Sequence, residues 1–248
     1  MQLHLMSWPE VANYLSQRQD ILIPIGSTEQ HGPMGLIGTD AICPEAIANA
    51  AAAELGCIVG PTINVGMAQH HLAFPGTIAL RPSTLIAYLQ DYVNSLALAG
   101  FTHFYFFNGH GGNIPSVEAA FSEIYAERSY QRQGPSGQVR CKLGNWFRLP
   151  EVAALASQLY GDKEGNHATP SEIALTQFVY PHAIKQAELA PIHATARYAT
   201  DSRDFRALFP DGRMGADSAL ASPQAGEQFL RLGVQGLIRE YNAFVHHP

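Results

Sequence analysis

Charge is what the sequence has least of. Only 15% of its 248 residues are Asp, Glu, Lys or Arg, against about 25% in an average globular domain. With 46% hydrophobic residues, that balance excludes intrinsic disorder, which needs high charge and little apolar surface to bury. It also leaves little polar cover for a monomer and points to burial in a homo-oligomer. Basic residues are the scarcer sign, 15 against 21 acidic ones, for a net charge of −6. No basic stripe occurs, and neutralising phosphates takes a Lys/Arg surface, so nucleic acid is not expected as a partner. Cysteine is scarce as well. Cys43, Cys57 and Cys141 are odd in number and far apart, so they make neither a disulfide framework nor a zinc knuckle and read as thiols of a reducing cytoplasm. Residues 55–80 lack charge, but Pro61, Asn64, Gly66, Gln69 and Pro75 interrupt them, so no membrane span is expected. The opening Met1-Gln2-Leu3-His4 lacks the basic and apolar regions of a signal peptide. Also missing are a Gly-x-Ser-x-Gly elbow, a phosphate-binding Gly-Lys-Ser/Thr loop and a cysteine with a histidine neighbour, which removes the commonest nucleophilic and nucleotide sites.

What is present alternates. Apolar runs at 21–26, 57–59 and 101–107 read as buried strands, with 78–80 and 139–143 as further short ones. Pro24 fits a central strand poorly. Helices are predicted over 43–55, with Pro44 near its first turn, and over 82–99, between Pro82 and Gly100. Others follow at 114–130, 150–159, 169–178 and 223–244, with a turn at 134–137, a polar loop at 161–167 and irregular chain at 181–218. Strands alternating with helices give an α/β fold, a three-layer sandwich with a mainly parallel central sheet. No repeat or linker divides the chain, so residues 1–248 are read as one domain.

Three loops gather residues that bind metals. Glu29 and His31 follow a buried strand and face one side of an extended segment, with Asp40 nine residues beyond His31. His110, in Asn108-Gly109-His110-Gly111-Gly112-Asn113, follows another buried strand. The carboxyl ends of parallel strands are where α/β sheets bind ligands. His167 and Glu172 open a helix further on. Carboxylates with imidazoles suit zinc, manganese or iron in a hydrolytic site. Glu29, His31, Asp40, His110 and Glu172 exceed the needs of one metal and suit two, about 3.5–4 Å apart, with one carboxylate shared. Each piece also has a structural reading. Asp40 before a helix can be an N-cap, and Thr169-x-x-Glu172 is a capping box. His70-His71, ahead of Phe74-Pro75-Gly76-Thr77 in the uncharged stretch, reads as a substrate loop.

In order and spacing, four motifs resemble the creatininase (creatinine amidohydrolase) family. They are Gly26-Ser27-Thr28-Glu29-Gln30-His31-Gly32-Pro33, Gly38-Thr39-Asp40, Phe74-Pro75-Gly76-Thr77 and Asn108-Gly109-His110-Gly111-Gly112-Asn113. The resemblance covers residues 20–178, while the C-terminal third adds little to it. It implies a three-layer α/β fold, metal-dependent amidohydrolase activity and commonly a hexamer. It also implies Glu29, His31, Asp40 and His110 as metal ligands, with Asp40 the bridge. His167 and Glu172 match the first and last of the family's His-Ala-Gly-Glu-x-Glu segment.

Two departures stand out. Pro170 replaces the first Glu of that segment, and Gly111-Gly112 stands where creatininases carry Tyr-Glu, the Glu being a metal ligand. A second metal must then use Glu172 or be bound more weakly. The expected enzyme hydrolyses a C–N amide bond, cyclic amide or formamide, of a small molecule. It uses two divalent ions, zinc first and manganese or iron next, in the cytoplasm. His167 is assigned as proton donor, Glu172 as a further catalytic group, and His71, Gly111 and Gly112 as borders of the substrate. A phosphate-ester hydrolase and a non-catalytic metal- or ligand-binding protein are the alternatives. The first wants Arg or Lys in the site loops, and none occurs at 26–40 or 108–113.

Overall fold

The computed structural model describes residues 1–130, 139–194 and 197–246. The turn expected at 134–137 lies outside them. In chain order the regular elements are α1 (Trp8–Leu15), β1 (Asp20–Ile25), α2 (Thr39–Leu55), β2 (Ile58–Val59), α3 (Pro82–Ala99), β3 (His103–Asn108) and α4 (Ile114–Tyr130). After these come β4 (Arg140–Asn145), α5 (Pro150–Tyr160), α6 (Pro170–Val179), α7 (Ser202–Leu208) and α8 (Pro223–His246). The sheet order is β2-β1-β3-β4 and every pairing is parallel.

Side chains alternate across β1 and β3 and so build two cores. Ile21, Ile23, Ile25, Phe104 and Phe106 pack with residues of α1, α3 and α4. Leu22, Tyr105 and Phe107 face α2, α5, α6 and α8. Helices on both faces of a parallel sheet make the expected three layers. The helix ends follow their signals. Pro82 starts α3, and Gly100, at φ 116°, ends it in the left-handed region.

Pro24 does lie within β1, at the middle of the sheet. In a parallel strand a residue's N–H and C=O point to the same neighbour. The Pro24 carbonyl accepts from Ile63 N–H at 2.9 Å, on the β2 side, beyond the end of β2. The missing N–H therefore costs no ladder bond.

The structure corrects four expectations. Residues 78–80 form no strand, only one antiparallel bridge from Ile78 to Thr28. α2 begins at Thr39 and not at 43, which places Pro44 inside it. The irregular stretch contains α7. The polar loop at 161–167 opens with a 3₁₀ turn, Gly161–Glu164.

The early start of α2 positions the site. Its N-cap is Gly38, so Asp40 is not a cap and sits in the first turn. Pro44 has no N–H to give the Asp40 carbonyl four residues back. That carbonyl instead lies against the strand ends. A Cβ on Gly26 would stand 2.1 Å from its oxygen, and one on Gly109 2.0 Å. Glycine after β1 and after β3 thus lets the first turn of α2 come down onto the sheet and hang the Asp40 side chain over it.

Candidate metal centre

The loops leaving β1 and β3, the first turn of α2 and the start of α6 converge at the carboxyl edge of the sheet. Glu29, His31, Asp40, His71, His110 and His167 are all buried there.

Asp40 stands between two groups. Its Oδ1 is 3.1 Å from His31 Nε2, and Glu172 Oε1 is 3.9 Å from that same nitrogen. Its Oδ2 is 3.0 Å from His110 Nδ1, which lies 3.3 Å from Glu29 Oε1. His31, Asp40 and Glu172 thus form one set of ligand atoms, and Glu29, Asp40 and His110 a second, each within 4.8 Å. A third set joins Glu29, His31 and His167.

The unused ring nitrogens fix which atoms face inward. His31 Nδ1 is 3.1 Å from the Glu29 carbonyl and His110 Nε2 is 2.8 Å from the Met67 carbonyl. A carbonyl only accepts, so those nitrogens carry hydrogen, leaving His31 Nε2 and His110 Nδ1 to face the carboxylates. His167 is held the same way, donating from Nε2 to the Gln30 carbonyl at 2.7 Å, with Nδ1 3.7 Å from Glu29 Oε1. Next to it, Ala168 has a positive φ of 57°, and Ser218 Oγ donates to its carbonyl at 2.6 Å. The strained residue is pinned, which fixes the angle at which His167 meets the cluster.

Three buried carboxylate oxygens, both of Glu29 and Oδ2 of Asp40, have no aligned hydrogen bond. Orphaned acceptors are costly in a buried setting. Here they face imidazole nitrogens whose protons a divalent cation can displace, and the cation then satisfies both kinds of lone pair at once. The residues therefore fit a metal.

The electrostatics agree. Burial pushes Glu29 up to about 8 against the pull of His110, and burial likewise lifts Glu172 to about 7. Burial alone would lower His31, but Asp40 and Glu172 outweigh it and raise it to about 10. His110 also overcomes its burial, through Glu29 and Asp40, and rises to about 9. Asp40 is buried too, yet His31 and His110 hold it far below the usual carboxylate range. His167 is the exception: burial and then His31 keep it well below 6.5, so it is neutral.

Glu172 is also the capping-box residue. Its Oε1 accepts Thr169 N–H at 2.6 Å, and its own N–H reaches Thr169 Oγ1 at 3.3 Å. The same Oε1 that closes the capping box also belongs to the His31, Asp40 and Glu172 set of candidate ligand atoms, because α6 begins beside the cluster.

Above the cluster opens a cavity of about 460 Å³, lined by Asp40, His110, Gly111, Trp146, His167 and Glu172 among others. Gly112 and His71 also border it. The ring nitrogens of His71, however, look elsewhere. Nδ1 is 2.9 Å from Gln30 Nε2, and Nε2 is 3.2 Å from Glu29 Oε1. The His167 ring stacks on His71, centroids 4.3 Å apart, and meets His31 tilted by 42° at 4.5 Å.

Sequence reasoning missed Trp146, although it directly follows β4, the same position by which Glu29 and His110 are found. It also missed the work of Gln30, which besides His71 reaches the Gly212 carbonyl at 3.0 Å. Nothing in the local sequence marks that contact.

The family model for creatininases, described as creatinine amidohydrolase, matches residues 4–241. A creatinine amidohydrolase of Pseudomonas putida is 28% identical over 237 residues, which is 88% of this chain and 86% of that one. A mycofactocin precursor peptide peptidase of Mycolicibacterium smegmatis is 29% identical over 69% of this chain and 66% of its own length. A 3-dehydro-scyllo-inosose hydrolase of Thermotoga maritima is 32% identical over 48% of this chain and 40% of its own. The last two matches thus span less than two thirds of those relatives. A crystal structure of creatinine amidohydrolase superposes with a TM-score of 0.86 at 21% identity, covering 100% of this chain and 98% of that one.

Proposed function

Because the chain belongs to the creatininase family, we propose that it is a metal-dependent amidohydrolase that cleaves a C–N amide bond of a small molecule. The observation that carries this reading is Asp40, which offers one oxygen to His31 and the other to His110. Glu29, Asp40 and His110 would hold one ion, and His31, Asp40 and Glu172 the other. Nitrogen and carboxylate donors favour zinc, with manganese or iron next. Ions held there polarise a carbonyl and bring the pKa of a bound water toward ~7.

His167 supplies the proton transfer. It is neutral, and its Nε2–H is committed to Gln30, so Nδ1 is the atom free to act. Nδ1 accepts a proton from the attacking water and passes it to the departing nitrogen, first as base and then as acid. The proton that His167 donates is the one it has just received.

His71 serves the centre more than the substrate, holding Glu29 in place with Gln30 behind it. Gly111 borders the substrate where a side chain would meet nothing within 4 Å. Among the described residues the cavity lining contains no Lys or Arg, which disfavours a phosphate ester, whose oxyanions call for such donors. A homo-oligomer, a hexamer by the family resemblance, in a reducing cytoplasm completes the reading, and its three free thiols are consistent with that compartment.

The test is metal analysis of the purified protein, followed by assay with zinc or manganese against cyclic amides, formamides, short peptides and phosphate esters. Amide turnover that requires the metal is expected. Turnover confined to phosphate esters, or none on any member, would overturn the proposal.

A further inference from the structure

The side chain of Gln30 is buried between two stretches of backbone. Its Oε1 accepts the Gly32 N–H at 2.8 Å, and its Nε2 donates to the Gly212 carbonyl at 3.0 Å. An N–H only donates and a carbonyl only accepts, so these two contacts leave the amide a single orientation. The fit is close, since a Cβ on Gly212 would stand 1.9 Å from Oε1.

One hydrogen of Nε2 remains, and two ring nitrogens lie near it. His167 Nε2 is 3.0 Å away, but it already carries the hydrogen that goes to the Gln30 carbonyl at 2.7 Å, so it cannot accept. His71 Nδ1, at 2.9 Å, is therefore the acceptor. An imidazole that accepts at one nitrogen carries its hydrogen on the other, and an imidazolium accepts at neither. The hydrogen of His71 thus sits on Nε2, 3.2 Å from Glu29 Oε1. That oxygen is one of the buried acceptors with no aligned bond. The opposite tautomer would set a nitrogen lone pair against it.

We propose that Gln30 is a positioning residue that fixes the tautomer of His71, so that His71 offers Glu29 a hydrogen and does not compete for the ion. This rests on the metal centre proposed above. Among the described residues His71 belongs to none of the three sets of donor atoms, although it touches a member of two of them. The order runs from the Gly212 carbonyl through the amide and the ring to the carboxylate of Glu29. An apolar side chain of the same length at position 30 would fill the space and leave His71 Nδ1 free to take the hydrogen.

The experiment records the ¹⁵N spectrum of histidine-labelled protein, metal-free and zinc-loaded. Wild type should show His71 with a proton on Nε2 and none on Nδ1 in both states, and Gln30→Met should show the two tautomers in exchange. The reverse tautomer in wild type, or a His71 nitrogen bound to zinc, would overturn the proposal. Zinc titration against a chromophoric chelator gives a second reading on Gln30→Met, His71→Phe and the double variant, each checked for folding by thermal unfolding without metal. His71→Phe keeps a ring in place and should bind zinc about 10–100-fold more weakly, the usual cost of losing a ligand's hydrogen-bond partner. Gln30→Met should also bind more weakly, and the double variant should match His71→Phe within about twofold, because Gln30 acts through His71. Losses that multiply in the double variant would overturn the proposal and leave Gln30 a support of the backbone alone. Should a variant not fold, the wild-type spectrum decides. A wild type that takes up no zinc would defeat the metal centre itself, while its metal-free spectrum would still decide whether Gln30 sets the tautomer.

Discussion

The oxygen of Glu172 that faces His31 at 3.9 Å is the same Oε1 that accepts the Thr169 N–H and closes the capping box of α6. One atom thus links a helix start to the metal centre. Gln at 172 can keep the box and removes the charge. Glu172→Gln should therefore unfold, metal-free, within about 0.5 kcal/mol of wild type, while binding one of the two proposed ions much less tightly. Glu172→Ala should lose the cap as well, about 1 kcal/mol. Calorimetry with and without metal checks both. A Gln variant with full metal affinity would remove Glu172 from the ligand set.

Asp40 separates the structural and functional readings more sharply, because Gly38 takes the N-cap position. Asp40→Asn gives up a favourable helix-dipole charge, about 0.3–1 kcal/mol, and, in the metal-free protein, the pairing of Asp40 with His31 and His110. It should nonetheless lose at least one metal and nearly all activity. Unchanged metal stoichiometry in the purified variant would end the bridging role.

His167→Gln should leave metal content at the wild-type level and lower kcat by roughly 10²–10⁴-fold, the usual contribution of a proton-transfer group. Loss of a metal would make His167 a ligand through Nδ1, the third set of donor atoms described above. A kcat within about threefold of wild type would leave it a purely structural residue.

Acidity should act in opposite directions on the metal-free and metal-loaded protein. Without metal, His31 and His110 hold protons to about 10 and about 9, and Glu29 and Glu172 to about 8 and about 7. In an unfolded chain those groups titrate near ~6.5 and ~4.3. The folded form binds more protons across that window, so the site's contribution to stability declines as pH rises from about 5 to 10. Asp40 has the other sign: its depressed value gives stability that is lost only in strong acid, as pH falls through it. Metal must displace the same protons, so its affinity climbs with pH. The gap in Tm between loaded and chelator-treated protein should widen from pH 6 to 9. A gap that narrows would contradict this set of ligands.

How much of this was readable in advance depends on how local the cause is. β1 and β3 announce themselves as apolar runs, and the candidate ligands stand shortly after them. α1 has local signals too, Pro9 with the Ser7–Glu10 capping box and Val11, Tyr14 and Leu15 at helical spacing, and they went unread. α7 is seven residues long and buries only Phe205, too little for any periodicity. The start of α2 escaped because Pro44 normally marks a first turn, and only the close approach of Gly26 and Gly109 to the Asp40 carbonyl explains a proline deeper in. That Glu29, His31, Asp40 and His110 gather as candidate ligands was legible from residue chemistry. The choice of ring nitrogen was not, since it depends on the carbonyls of Glu29, Met67 and Gln30, and a sequence does not show where carbonyls point.

The C-terminal third carries none of the recognisable motifs, yet it holds the floor of the centre. Gly212 gives its carbonyl to Gln30, and Met214 pairs in an antiparallel bridge with His167. Phe205 lies edge-on against His71, with centroids 4.6 Å apart. Beneath Gly32, within the first motif, runs the buried Arg213 side chain, whose guanidinium is paired with Asp211 at 2.7 Å. A chain cut after residue 180 would keep every signature by which the site is recognised and lose the wall against which its histidines pack. Such a fragment would be a complete inscription on an unfinished vessel, so the presence of the motifs in a shortened relative is no warrant for a working centre.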